Sequence, residues 1–167
     1  MKLSMPHRRP PATAELGVAP QLDTAGGWLH GVEATTADAV VLYEIWTFGC
    51  INCVRTLPYV RALWARYRVD GLVVVGIHTP EFAHEADVDK VAAASARLGV
   101  TWPVLLDPHR VNWNRFQNRY WPHVFITDRT GAIRFDHIGE GAYAAMEDSV
   151  RSLLGVAAAS SRAAFPG

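Results

Sequence analysis

The sequence predicts an α/β fold in which a central mixed sheet is flanked by helices. Three observations carry this expectation. Runs of β-branched and aromatic residues at Val40–Trp46, Leu72–Ile77 and Val104–Asp107 read as buried strands. Segments with apolar residues at helical spacing separate them. Towards the C-terminal end, two apolar runs flank a short Gly-containing turn, which is a β-hairpin signal, and a helix follows. Strands alternating with helices need a sheet covered on both faces. A chain of 167 residues suits one domain with a full core.

The elements follow in order. Residues 1–20, rich in Pro, Ala and Arg, read as a flexible leader ahead of a domain at 21–155. A short strand is expected near Trp28-Leu29-His30. The first core strand is Val40–Trp46. From Asn52 to Tyr67 the residues Val54, Leu57, Val60, Leu63 and Trp64 recur at helical spacing, with Pro58 inside the helix to kink it. After the strand Leu72–Ile77 comes an Ala-rich helix, Asp87–Leu98, stopped by Gly99. The strand Val104–Asp107 and a helix near Asn112–Gln117 precede the hairpin. Its strands are Val124–Thr127 and Ala132–Phe135, joined by Asp128-Arg129-Thr130-Gly131. Tyr143–Leu154 is the last helix, and residues 156–167 read as a flexible tail.

Composition excludes several classes. Half the residues are hydrophobic, 19% are charged, and 16 basic residues balance 16 acidic ones. A neutral chain offers no electrostatic footprint for nucleic acid. No apolar run reaches the roughly 18 residues of a membrane span, so no membrane insertion is expected. Met1–Pro10 has charge but no apolar stretch of about 7–15 residues behind it, unlike a secretory signal. This points to the cytoplasm, or to an extracytoplasmic site if the chain is a truncated form.

The two cysteines, Cys50 and Cys53, enclose Ile51 and Asn52. A bridge across so small a loop restricts the unfolded chain little, so chemistry explains the pair better than stability. Cys50 follows a buried strand and opens a helix. Unpaired N–H groups and the positive end of the helix dipole stabilise a thiolate there. Cys50 is therefore expected to attack, and Cys53, one turn further in and more buried, to resolve. Gly49 leaves the thiol uncovered, and Ile51-Asn52 tune the reduction potential. The alternatives are a zinc half-site or inert core thiols. Zinc takes four ligands, the chain has no other cysteine, and His78 and His84 are too widely spaced for a finger. No metal and no cofactor beyond the cysteine pair are expected.

The segment Val41–Pro58, V-L-Y-E-I-W-T-F-G-C-I-N-C-V-R-T-L-P, resembles the thioredoxin active-site segment. Glu44, six residues before Cys50, matches the buried acid of thioredoxins. Trp46 matches their strand-end tryptophan, and Pro58 their helix-kinking proline. Pro122, in Y-W-P-H-V-F, matches the cis-proline beside the cysteines. The longer segment before it implies an inserted strand and helix, as in TlpA-like and peroxiredoxin-like branches. W-T-F-G-C-I-N-C at 46–53, H-T-P-E-F at 78–82, N-R-Y-W-P at 118–122 and I-G-E-G-A-Y at 138–143 resemble the thioredoxin-like domain of DipZ-type proteins. The likeness spans roughly residues 18–155. Such proteins often join this domain to a membrane electron-transfer domain and work outside the cytoplasm. TlpA-like reductases often carry a glutamate where this chain has Thr56.

The resemblance implies a thiol–disulfide oxidoreductase acting on protein substrates, most simply as a reductant, supplied by an upstream thiol donor and working as a monomer. Glu44 would take the Cys53 proton during resolution. Trp121 and Pro122 would form the wall that binds an extended peptide. His78 and His123 are weaker candidates for the site. A peroxiredoxin-like peroxidase is the second reading, since Thr47-Phe48-Gly49-Cys50 fits T-x-x-C. But Tyr43 stands where that motif has proline, and no spacing selects Arg110, Arg115 or Arg119 as a second donor. A non-catalytic binding module is the third, and the intact cysteines, acid and proline oppose it.

Overall fold

The computed structural model describes residues 15–157. Its five strands are β1 (Val40–Trp46), β2 (Leu72–His78), β3 (Val104–Leu106), β4 (His123–Thr127) and β5 (Ile133–Ile138). The helices are α1 (Ile51–Tyr67), α2 (Val88–Leu98), α3 (Val111–Arg115) and α4 (Tyr143–Leu154). The sheet order is β3-β2-β1-β4-β5. β1 runs parallel to β2, and β2 to β3, while β4 is antiparallel to both β1 and β5. The sheet is therefore mixed, as the crossover helices and the hairpin require.

β1 is central and buried along its whole length. Alternate residues face opposite sides. Val40, Leu42 and Trp46 pack with Cys53, Leu57, Val60 and Leu63 of α1 and Met146 and Val150 of α4. Val41, Tyr43 and Ile45 pack on the other face with Trp113, Phe116 and Phe125. Gly76 of β2, the register partner of Glu44, is a close approach: a Cβ there would stand 3.1 Å from the indole nitrogens of both Trp46 and Trp102.

Three expectations are corrected. Trp28–His30 is not a strand. Only Trp28 bridges to Leu105, and Leu29–Gly31 is a single 3-10 turn, because His30 takes a left-handed φ of 56° that ends any extension. The ordered chain also begins before residue 21. Leu16 N–H donates to Ile133 O at 2.8 Å, Ile133 N–H to Gly17 O at 2.7 Å and Ala19 N–H to Gly131 O at 2.9 Å, so residues 16–19 pair with the hairpin. β5 starts and ends later than Ala132–Phe135: its pairing with β4 runs from Thr127↔Ile133 to His123↔Ile138, with a register shift between Ile126 and Thr127. At the other end, Val156 N–H bonds to Arg151 O. The rest of the expected leader and tail, residues 1–14 and 158–167, lies outside the described residues.

Candidate active site

Cys50 is the N-cap of α1, with extended backbone, and its Sγ accepts the Cys53 N–H at 3.3 Å. The β1 strand ends at Trp46, and Thr47-Phe48-Gly49 turn the chain into the helix. Cys50 is half-buried, Cys53 is fully buried, and both are free thiols. The Cys50 pKa is lowered to about 6, first by the hydrogen bond from the Cys53 thiol, then by the N–H groups of Cys53 and Asn52, against burial and the Glu81 charge. Burial pushes the Cys53 thiol far above the ordinary range, as do its donation to Cys50 and the charges of Cys50 and Glu44; a Thr47 N–H bond opposes them. The pair thus holds one thiolate at neutral pH, on the outer sulfur.

Trp121–Pro122 is a cis peptide bond, and the Cys50 sulfur stands 3.9 Å from Trp121 O, to which its protonated form can donate. The Trp121 indole donates to Thr79 O at 2.9 Å and packs against Trp113 with centroids 4.0 Å apart. Gly139 N–H bonds to Pro122 O at 2.8 Å, so the loop after β5 borders the same site. Glu44 lies beneath the cysteines. It is completely buried, neither carboxylate oxygen has a hydrogen-bond partner among the described residues, and burial raises its pKa to about 8. Gly49, Ile51 and Asn52 are exposed around Cys50.

The structure thus brings Cys50, Cys53, Glu44, Trp121 and Pro122 together. It also adds Glu85, which the sequence did not single out, and gives the candidates His78 and Thr47 their partners. Phe48 N–H donates to His78 Nε2 at 3.2 Å, and Thr47 Oγ1 donates to Glu85 Oε2 at 2.6 Å. Burial lowers the His78 pKa to about 4, against the Glu85 charge, so this ring is a neutral acceptor. His123 instead bonds Asn118 and Asp136 and stacks on Phe125 in the other core. For Glu85 the one available signal was its place just after H-T-P-E-F. Thr56 turns its hydroxyl onto Asn52 O of its own helix at 2.9 Å. Among the described residues no group of three or more His, Cys, Asp or Glu side chains is placed to hold a metal ion. None of their helices is long and apolar enough to cross a membrane.

No family model matches the chain. It is 40% identical over 144 residues to Protein DipZ of Mycobacterium bovis and to that of Mycobacterium tuberculosis, covering 83% of this chain. It spans about a fifth, 21%, of the length of those relatives. The thiol-disulfide oxidoreductase YkuV of Bacillus subtilis is 27% identical over 81% of this chain and 93% of its own length. Among solved structures, a thioredoxin-like protein in the oxidized form is 26% identical with a TM-score of 0.73, over 83% of this chain and 95% of that one. A thiol-disulfide isomerase from Corynebacterium glutamicum, 21% identical, shares the fold with a TM-score of 0.69, over 81% and 96% of the two chains. With its mixed sheet, its cysteine pair at a helix start and these likenesses, the chain belongs to the thioredoxin-like superfamily, as a domain similar to part of the DipZ proteins.

Proposed function

We propose that the chain exchanges a Cys50–Cys53 dithiol for disulfides of protein substrates, acting as the reductant. The observation that carries this is the asymmetry of the two thiols: an accessible Cys50 with a pKa of about 6 above a buried Cys53 held protonated. The Cys50 thiolate attacks one substrate sulfur. A mixed disulfide forms, and the other substrate sulfur leaves as a thiolate that takes a proton. Cys53 then attacks Cys50 Sγ, and its proton passes to the minor fraction of Glu44 that is ionised below pH 8. The second substrate sulfur is released. Two electrons pass to the substrate, and the chain is left with a Cys50–Cys53 disulfide that an upstream dithiol must reopen. In that reverse step Glu44, with a pKa of about 8, is a carboxylic acid at neutral pH and can return the proton to Cys53.

Three further features support exchange with proteins. Exposed apolar side chains lie next in the chain to residues that bear on Cys50: Ile51 follows Cys50, Phe82 follows Glu81 and Tyr120 precedes Trp121, at 59%, 59% and 58% accessible. The backbone carbonyl of Trp121 lies beside the Cys50 sulfur, where an extended chain would meet both. The peroxidase reading loses two of its candidate donors: the Thr47 hydroxyl is given to Glu85, and the Arg110 guanidinium to the Pro80 and Glu81 carbonyls.

Reduction of a model protein disulfide with dithiothreitol as electron source tests the proposal. Turnover is expected with little peroxide consumption. Cys53→Ser should accumulate mixed disulfides and Cys50→Ser none. Fast, saturable peroxide turnover without reductase activity, or trapping by the Cys50 variant alone, would refute it.

A further inference from the structure

We infer that Glu85 is the positioning residue of the cysteine pair, acting through Thr47 to hold both sulfurs in register. The inference rests on the reading of Cys50 as the attacking thiol. Glu85 sits in the 3-10 turn Ala83–Ala86 after β2, remote in sequence from the cysteines, and its side chain is buried. One oxygen, Oε2, gathers three donors: Thr47 Oγ1 at 2.6 Å, Glu81 N–H at 2.7 Å and Phe82 N–H at 3.3 Å. Thr47 in turn touches both cysteines. Its carbonyl accepts the Cys50 N–H at 3.3 Å, and its own N–H bonds to the Cys53 sulfur. A single carboxylate therefore ties the loop after β2 to the one residue whose backbone spans the dithiol.

Gly49 supplies an independent sign that the carboxylate belongs there. Its φ is not left-handed, so its backbone does not need glycine. A Cβ built on it would collide with Glu85 Oε1 and stand 2.9 Å from Glu85 Cδ. The glycine before Cys50 is thus the space into which Glu85 packs. The second tie on this loop, Phe48 N–H to His78, lies beside it and bears on the same turn.

The sign of the effect separates positioning from charge. If Glu85 acted on Cys50 as a negative charge, its removal would lower the Cys50 pKa. If it acts by holding the loop, its removal loosens the bonds from Cys53 and Asn52 that stabilise the thiolate, and the pKa rises.

The test is the pH profile of iodoacetamide labelling of Cys50 in the reduced full chain, with circular dichroism to confirm folding. Alkylation reads the thiol without a disulfide substrate, so it gives an answer even if reductase activity proves absent. Glu85→Ala and Thr47→Val should both raise the midpoint, and a rise of about one unit slows labelling near pH 6.5 about threefold. The double variant should shift no further than the larger single one. Glu85→Gln, which keeps the shape and an acceptor oxygen, should restore most of the low midpoint. Gly49→Ala should raise it, and adding Glu85→Ala to Gly49→Ala should bring no further rise beyond that of Glu85→Ala alone. If Glu85→Ala does not fold, Thr47→Val and Gly49→Ala decide. Midpoints unchanged or lowered in the folded variants, or additive shifts, would overturn the inference.

Discussion

Glu44 and Cys50 carry opposite shifts from their ordinary acidities, and each has one dominant cause. Cys50 is lowered by donors gathered at a helix start; Glu44 is raised by burial without a partner. The second has a consequence for stability. The folded chain keeps the Glu44 proton up to about pH 8, whereas the unfolded chain releases it near 4.5. Folding takes up a proton in that window, so this contribution is complete below about 4.5 and is lost as pH rises through about 8. Glu44→Gln has no such proton. Its stability relative to the parent should therefore grow between pH 5 and 8, by on the order of a few kcal/mol. Urea unfolding of both proteins across that range checks this, and a constant difference would show that Glu44 is not buried as a lone acid. At this scale the sequence was informative about identity and poor about environment. The spacing of Cys50 and Cys53 marked the pair and its helix start, while the burial of Cys53 and Glu44 depends on how other elements cover them.

The elements obeyed local rules where those rules act alone. Asp87 was expected to open a helix, and its carboxylate accepts the Lys90 N–H at 3.1 Å as the N-cap of α2; Gly99 closes that helix with φ 70°. Asp87→Ala should therefore cost about 1 kcal/mol by denaturant unfolding, with the Cys50 labelling midpoint unchanged. An unchanged unfolding midpoint would mean that the cap contributes nothing measurable. α1 began as foreseen at the cysteine pair, because Cys50 Sγ caps it. The failures came where tertiary contacts outweigh local preference. Trp28–His30 has strand-like residues, yet a bridge at Trp28 and a left-handed His30 make it a turn against the β3 edge. Leu16–Ala19 had no pattern to mark it, but its backbone bonds complete the hairpin edge.

At the scale of the whole molecule, the two helices on the α1 face are joined by a buried bond from Tyr67 O–H to Glu147 Oε1 at 2.6 Å, spanning 80 residues. Nothing local requires this pair; it exists because α1 and α4 cover the same side of β1. Tyr67→Phe leaves the carboxylate one donor short and should cost about 1–3 kcal/mol in urea unfolding. The Cys50 labelling midpoint should not move, since Tyr67 ends α1 far along the helix from its cap. A shift in that midpoint without loss of stability would show that the α1–α4 contact reaches the thiols.

The sequence alone determined the α/β class, the order of the main elements and the place of the cysteine pair, because strand and helix periodicities and a cysteine pair at a strand-to-helix junction are local signals. It also placed Glu44, through its spacing from Cys50, and Pro122, through its motif before the hairpin, both within a resemblance. The tertiary structure decided the environment of those residues: the complete burial of Glu44, the opposition of the Trp121 carbonyl to Cys50, and the Glu85 carboxylate on Thr47 against Gly49. Glu85 shares no periodicity with the cysteines and lies 38 residues from Thr47. Such a contact follows from how β1 and β2 align in the sheet and where the chain leaves β2, and no local pattern encodes that.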